Sequence, residues 1–76
     1  MEKVKKIIAE TFHIKESDIT SSVNMKDIDS WDSLTHMELI ANLECEFEIE
    51  FTADEIMEMV DVAHIEKIVG EKLNGN

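Results

Sequence analysis

The sequence contains no proline and no tyrosine, only two glycines and a single cysteine, Cys45. Because proline and glycine are the residues that most often interrupt helices, their scarcity favours an all-α fold. A lone cysteine excludes an internal disulfide and fits a reducing compartment, so we expect a cytoplasmic protein. No apolar run approaches the roughly 20 residues that span a bilayer, and the charged first residues are unlike a signal peptide. We therefore expect a soluble protein that does not act at a membrane.

Basic residues are scarce as well. Seven Lys and Arg stand against 18 Asp and Glu, which gives a formal net charge of −11. Such a charge repels nucleic acid and anionic membranes and favours encounters with basic protein surfaces. Disorder is the competing interpretation of a highly charged chain, but 43% hydrophobic residues in periodic stripes favour a folded structure. We expect residues 1–76 to form one monomeric domain.

Hydrophobic periodicity predicts a bundle of three main helices plus a short one. The main helices are expected from about Glu2 to Phe12, from about Ser33 to Glu46, and after Asp61, which can cap the last helix. Thr52-Ala53-Asp54-Glu55 is typical of a capping box and predicts the short third helix, with Ile56, Met59 and Val60 on its apolar face. Residues 13–32 form a long connection that is rich in Ser, Thr, Asp and Asn, and loops of this length are often functional.

The second helix has two apolar faces. One face is an ordinary core stripe, made of His36, Leu39, Ile40, Leu43 and Phe47. The opposite face, which we call the outward strip, carries Leu34, Met37, Ala41 and Cys45 and is bordered by Glu38 and Glu44. An apolar strip edged with carboxylates predicts a docking surface for a partner groove that is apolar inside and basic at its rim. The alternative is that Met37 and Ala41 contact a loop that folds back over them.

Ser33 lies where the long connection meets this second helix. Either Asp32 or Ser33 can cap the helix, so the serine is expected to be exposed at the positive end of the helix dipole, where a phosphate is stabilised. Ser33 and His36 have the spacing of a nucleophile and its base, but no third residue is evident to orient the histidine. We therefore do not expect an enzyme.

A metal site is also not expected. The carboxylates of Asp27, Asp29, Asp32 and Glu38 have part of the spacing of an EF-hand loop. However, Trp31 falls on a ligand position and Asp32 replaces the glycine that the turn requires. The remaining interpretation is weak binding of divalent cations to an acidic surface.

Asp32-Ser33-Leu34, which opens an acidic helix after a long loop in a chain of 76 residues, resembles the acyl carrier protein family. The resemblance covers nearly the whole chain, including the short third helix and Asp61-Val62 at the start of the fourth. It implies that Ser33 is esterified with 4′-phosphopantetheine from coenzyme A by a phosphopantetheinyl transferase, and that the arm carries an acyl group as a thioester.

The same resemblance implies which residues meet the partner enzymes. Asp32, Glu38 and Glu44 would contact basic residues of acyl-loading and acyl-using enzymes, and Leu34 and Met37 would fill the apolar part of the contact, next to Ala41. Where many carriers of fatty acid synthesis have a Gly-Ala-type pair, this chain has Ser30-Trp31, which favours a stand-alone carrier dedicated to one pathway.

Two other functions remain open at this stage. One is an aminoacyl or peptidyl carrier, which would share the arm and differ in its partners. The other is an acidic helical adaptor or inhibitor without a covalent arm. The cargo of a carrier is expected to lie between the helices, lined by residues such as Ile7, Leu43, Ile56, Met59 and Ile65.

Overall fold

The computed structural model describes residues 2–20 and 22–74 and shows a helical bundle. Its α-helices are α1 (Glu2–Phe12), α2 (Ser33–Phe47), α3 (Ala53–Glu58) and α4 (Val62–Leu73). The predicted all-α fold, with three main helices and a short one, is confirmed. Within these residues, no helix is both long and apolar enough to cross a membrane. The predicted domain ends at residues 1 and 76 lie outside the described part of the chain.

The core forms where the apolar stripes of α1, α2 and α4 meet. Val4, Ile8, Leu39, Leu43, Met59, Val62, Ile65 and Val69 have no exposed surface. The helices are also joined by polar contacts, since the Asn42 side-chain amide donates to the Thr11 hydroxyl at 3.0 Å. Of the predicted core stripe of α2, only Phe47 stays half-buried. Truncating a fully buried leucine such as Leu39 to alanine typically costs about 2–5 kcal/mol.

The ends of α2 and α3 have clear local causes. At Glu48 the backbone turns into the left-handed region, with φ 55° and ψ 49°, and this ends α2 one residue later than the sequence predicts. At the start of α3 the Thr52 hydroxyl accepts the Glu55 N–H, and the Glu55 carboxylate accepts the Thr52 N–H. The capping box predicted from the sequence is therefore confirmed.

The long connection is joined to the bundle by backbone hydrogen bonds. It contains two short 3₁₀ turns, Glu16–Asp18 and Met25–Asp27. Next to the second turn, the Met25 N–H donates to the Val60 carbonyl at 2.8 Å and the Val62 N–H donates to the Val23 carbonyl at 2.9 Å. This isolated bridge ties the connection to the junction of α3 and α4, on the same side of the bundle as Ser33.

Candidate functional site

The start of α2 is fixed by a reciprocal pair of hydrogen bonds. The Asp32 carboxylate accepts the Thr35 N–H at 3.0 Å, and the Thr35 hydroxyl accepts the Asp32 N–H at 2.8 Å. Asp32 has extended backbone angles, so it is the N-cap, and Ser33 is the first helical residue. The sequence left open which of the two residues caps the helix, and the structure assigns that role to Asp32.

The charge beside Ser33 is stabilised by the same hydrogen bonds. The Thr35 backbone N–H, followed by the Thr35 side chain, holds the pKa of the Asp32 carboxyl below its ordinary value of 3.8. Asp32 is exposed and therefore remains ionised at neutral pH. Ser33 thus lies between a fixed carboxylate and the positive end of the α2 dipole.

The Ser33 side chain is exposed and lies at the rim of an apolar cleft. Among the residues that the structure describes, none forms a hydrogen bond with its hydroxyl, so the oxygen is accessible to an enzyme that modifies it. The cleft has a volume of about 360 Å³ and is lined by Met25, Ser33, His36, Met37, Ile56, Met57 and Val60. A free hydroxyl beside an apolar cleft fits a phosphodiester-linked arm that carries an apolar group.

His36 does not act as a base for Ser33. Its Nδ1 accepts the Trp31 indole N–H at 3.0 Å, and its Nε2 lies 3.0 Å from the Ile56 carbonyl oxygen. Both ring nitrogens are therefore occupied by other groups, and the ring is nearly fully buried. This agrees with the expectation that Ser33 and His36 do not form a catalytic pair, although their spacing would allow one.

The outward strip of α2 is open to solvent. Leu34 is 73% exposed and Met37 is 52% exposed, and the side chains of Ala41 and Cys45 are exposed as well. Met37 also lines the cleft, so the strip is continuous with the rim where Ser33 lies. Its use as a docking surface remains a prediction.

The two glutamates that border the outward strip differ. Glu38 is exposed and, within residues 2–20 and 22–74, has no ion-pair partner. Glu44 is half-buried, and its carboxylate accepts the backbone N–H of Phe51 at 3.0 Å. Glu44 therefore supports the connector between α2 and α3 in addition to any contact with a partner.

Two exposed apolar residues of this region were not found from the sequence. Met57 is 75% exposed and Val60 is 42% exposed, and both line the cleft on the side opposite Met37. The apolar pattern placed Val60 on the inward face of α3, but the helix ends at Glu58 and the chain turns before Val60. The sequence pattern places Met57 on the exposed face of α3. Only its position beside the cleft, which the structure shows, indicates a function for it.

Two of the four carboxylates that partly match an EF-hand loop, Asp27 and Asp32, take part in helix caps. The Asp27 carboxylate accepts the Asn24 N–H at 3.1 Å, and Asp32 caps α2. Among the described residues, no group of three or more His, Cys, Asp or Glu side chains is arranged to hold a metal ion.

Comparison with known proteins agrees with this geometry. The family profile described as "Phosphopantetheine attachment site" matches residues 2–69. The solution NMR structure of a holo acyl carrier protein from Geobacter metallireducens is similar to this chain, with a TM-score of 0.86 and 32% sequence identity. The match covers 95% of this chain and 83% of that chain.

Proposed function

The chain belongs to the acyl carrier protein family, and we propose that Ser33 is the residue that receives its 4′-phosphopantetheine arm. Members of this family carry groups on the arm and are not enzymes, so the protein is a carrier with a 4′-phosphopantetheine prosthetic group. The observation that carries the assignment to Ser33 is its free, exposed hydroxyl at the first residue of α2, on the rim of the apolar cleft.

The residues around Ser33 suit a serine that is modified by another enzyme. The transferase joins the Ser33 oxygen to the phosphate of the phosphopantetheine portion of coenzyme A, and the rest of the coenzyme leaves as the nucleotide. The hydroxyl proton goes to a base of the transferase, since His36 is engaged with Trp31 and Ile56. When bound, the arm supplies a terminal thiol that holds cargo as a thioester.

The cargo that this site suits best is an acyl group. Of the residues around the cleft, Met25, Met37, Ile56, Met57 and Val60 are apolar, and methionine side chains repack readily around an apolar guest. An aminoacyl group would bring a charged amine into an environment without a carboxylate on its walls. The function proposed is therefore the transport of thioester-bound acyl groups between enzymes of one pathway in the cytoplasm, by a monomeric carrier.

The partner surface proposed for this carrier runs along α2 from Asp32. Leu34, Met37 and Ala41 supply its apolar part, and Asp32, Glu38 and Glu44 supply its negative edge. The phosphopantetheinyl transferase and the acyl-loading and acyl-using enzymes would present basic rims to it. Exposed apolar side chains next to Glu38, which has no ion-pair partner among the described residues, support this surface.

Intact-mass spectrometry tests the proposal. The protein is incubated with coenzyme A and a promiscuous phosphopantetheinyl transferase, and the expected result is a gain of one arm. Ser33→Ala should gain nothing, whereas Ser22→Ala, which removes an exposed serine of the long connection, should gain one arm. A gain that persists in Ser33→Ala would overturn the assignment. Charging assays with acyl-activating and amino-acid-activating enzymes then distinguish the two kinds of cargo.

A further inference from the structure

The ring of His36 lines the cleft and is nearly fully buried. The Trp31 indole N–H can only donate, so His36 Nδ1, 3.0 Å away, carries no proton and accepts it. The proton of the neutral ring is then on Nε2, which donates to the Ile56 carbonyl oxygen at 3.0 Å. The ring bridges the residue before the Asp32 cap and the last turn of α3, and we call this arrangement the His36 bridge.

Both ends of the His36 bridge are fixed by the rest of the fold. Trp31 is 3% exposed and stacks on Phe12, with 4.9 Å between the ring centroids. Ile56 belongs to α3, whose six residues are too few to form a stable helix alone. The residue before Ile56 ties α3 to α4, because the Glu55 carboxylate lies 2.8 Å from the Lys72 ammonium. The bridge therefore sets the separation of α2 and α3 at the cleft.

The His36 bridge separates two different environments. On the outer side, Met37 and Met57 are more than half exposed and the cleft is open to solvent. Leu39 and Leu43, which belong to the same buried stripe of α2 as His36, have no exposed surface, and neither has Met59. A chain that passes inward must displace the ring, and this leaves the Trp31 N–H and the Ile56 carbonyl without their partner.

We propose that His36 is a specificity-determining residue, which limits how much of an attached acyl chain the protein can enclose. The inference rests on the proposed arm at Ser33, which lies on the rim of the same cleft. A short chain fits in the cleft over Met57 and Val60. The part of a longer chain that extends beyond the cleft remains in solvent, because the His36 bridge closes the way into the helical core. The cargo residues expected from the sequence then divide, with Ile56 in contact with cargo and Leu43 and Met59 out of reach.

A series of acyl groups of increasing length tests this limit. Butanoyl, octanoyl and dodecanoyl arms are transferred to Ser33 from the corresponding acyl coenzymes A, and the melting temperature of each product is measured. Enclosed apolar surface stabilises the fold, so the melting temperature reports how much of the chain is enclosed. In the wild type the melting temperature should stop rising at a shorter chain than in His36→Ala. In His36→Ala it should still rise from the butanoyl to the octanoyl product.

Two further variants keep the test decisive. The His36→Gln side chain can accept a hydrogen bond from Trp31 and donate one to Ile56. The melting temperature of this variant should therefore stop rising at the same chain length as in the wild type. Trp31→Phe retains an aromatic ring on Phe12 and removes one hydrogen bond of the bridge. This variant should enclose a longer acyl chain than the wild type, and it provides the test if His36→Ala fails to fold. A melting temperature of the wild type that continues to rise up to the dodecanoyl product would overturn the inference. The inference would also be wrong if the melting temperature stopped rising at the same chain length in the wild type, His36→Ala and Trp31→Phe.

The inference can be separated from the proposed function by attaching chains chemically. In a Ser33→Cys, Cys45→Ser variant, alkyl methanethiosulfonates form a disulfide with the introduced thiol and release methanesulfinate. Butyl, octyl and dodecyl chains then start at the rim of the cleft without a transferase. If Ser33 accepts no arm, the proposed function fails, while the comparison of this series with and without His36→Ala still decides whether the bridge limits enclosure.

Discussion

Asp32 and Thr35 exchange backbone-to-side-chain hydrogen bonds, and this exchange fixes the residue at which α2 begins. Without it, the first turn of the helix would have unpaired N–H groups, and Ser33 would lose its defined position on the rim of the cleft. The Thr35 hydroxyl also donates to the Ser30 carbonyl, which joins the turn before the helix to the same cluster. The placement of Ser33 thus depends on the side chains of Asp32 and Thr35.

Asp32→Asn tests the electrostatic part of this cap. Asparagine caps as well as aspartate, so the variant keeps the hydrogen-bond acceptor and removes the charge. Because the pKa of Asp32 in the fold lies below 3.8, its ionised form stabilises the protein above that pH. The stability is lost as pH falls through the lower, folded-state pKa. The wild type should melt above Asp32→Asn at neutral pH, and the difference should vanish under strongly acidic conditions. A difference that is independent of pH would contradict this account.

At the residue scale the sequence was sufficient for some positions and insufficient for others. The start of α2 at Asp32 and Ser33 could be predicted because capping depends on residues within one turn of each other, although the sequence left open which of the two is the cap. The roles of Trp31 and His36 could not, because the acceptor of the His36 N–H is the carbonyl of Ile56, which lies 20 residues further along the chain. Sequence spacing gives no information about a contact that only the packing of α3 creates.

At the element scale, α2 combines a buried stripe with an exposed one. Burial of Leu39, Ile40 and Leu43 fixes the rotation of the helix about its axis. Leu34 and Met37 must then face solvent, because they lie on the opposite side of a helix with 3.6 residues per turn. The outward strip is a consequence of the same packing that stabilises the bundle, and Met37 and Ala41, which a folded-back loop could have covered, are exposed.

Glu38 and Glu44 should respond differently to charge reversal. Glu38→Lys should lower kcat/KM for arm attachment several-fold, because charges at the rim of an interface mainly set the association rate. Its melting temperature should not fall. Glu44→Lys should lower both quantities, since loss of the bond from the Phe51 N–H costs about 1–3 kcal/mol.

The matched control for these variants is Glu71→Lys, which reverses an exposed charge on α4 and should leave the kinetics close to those of the wild type. If Glu38→Lys is modified as fast as Glu71→Lys, the outward strip is not the surface that the transferase uses.

Local sequence patterns predicted the bounds of the helices more reliably than they predicted the path of the long connection. The box Thr52-Ala53-Asp54-Glu55 predicted α3 because both of its hydrogen bonds lie within four residues. The equivalent box at Asn24 and Asp27 was present in the sequence and marks the second 3₁₀ turn, yet its significance was missed. The bridge from the connection to the α3–α4 junction joins segments that are far apart in the chain, so no local pattern indicates it.

At the scale of the whole molecule, a net charge of −11 on 76 residues opposes folding and promotes association with basic proteins. Like charges repel one another across a bundle whose largest extent is 31 Å. Only a few of them are neutralised by ion pairs in the described residues, such as Glu46 with Lys3 at 3.5 Å and Glu55 with Lys72. The same field favours encounters with basic protein surfaces.

Salt should therefore have opposite effects on stability and on partner encounter. The screening length falls from about 10 Å at 0.1 M to about 3 Å at 1 M ionic strength. The melting temperature should rise over this range as the self-repulsion is screened. The rate of arm attachment by a transferase with a basic docking surface should fall. A melting temperature that decreases with added potassium chloride would show that attractive ion pairs, and not repulsion, dominate the electrostatics of the fold.

The most direct test of the central claim is to locate the arm by tandem mass spectrometry. After incubation with coenzyme A and the transferase, trypsin releases the peptide of residues 27–67, which contains two serines, Ser30 and Ser33. The account predicts that fragment ions place a single phosphopantetheine on Ser33, with Ser30 unmodified because its hydroxyl is engaged with the Phe12 carbonyl. An arm on Ser30 or on any other residue, or a chain that accepts no arm, would contradict it.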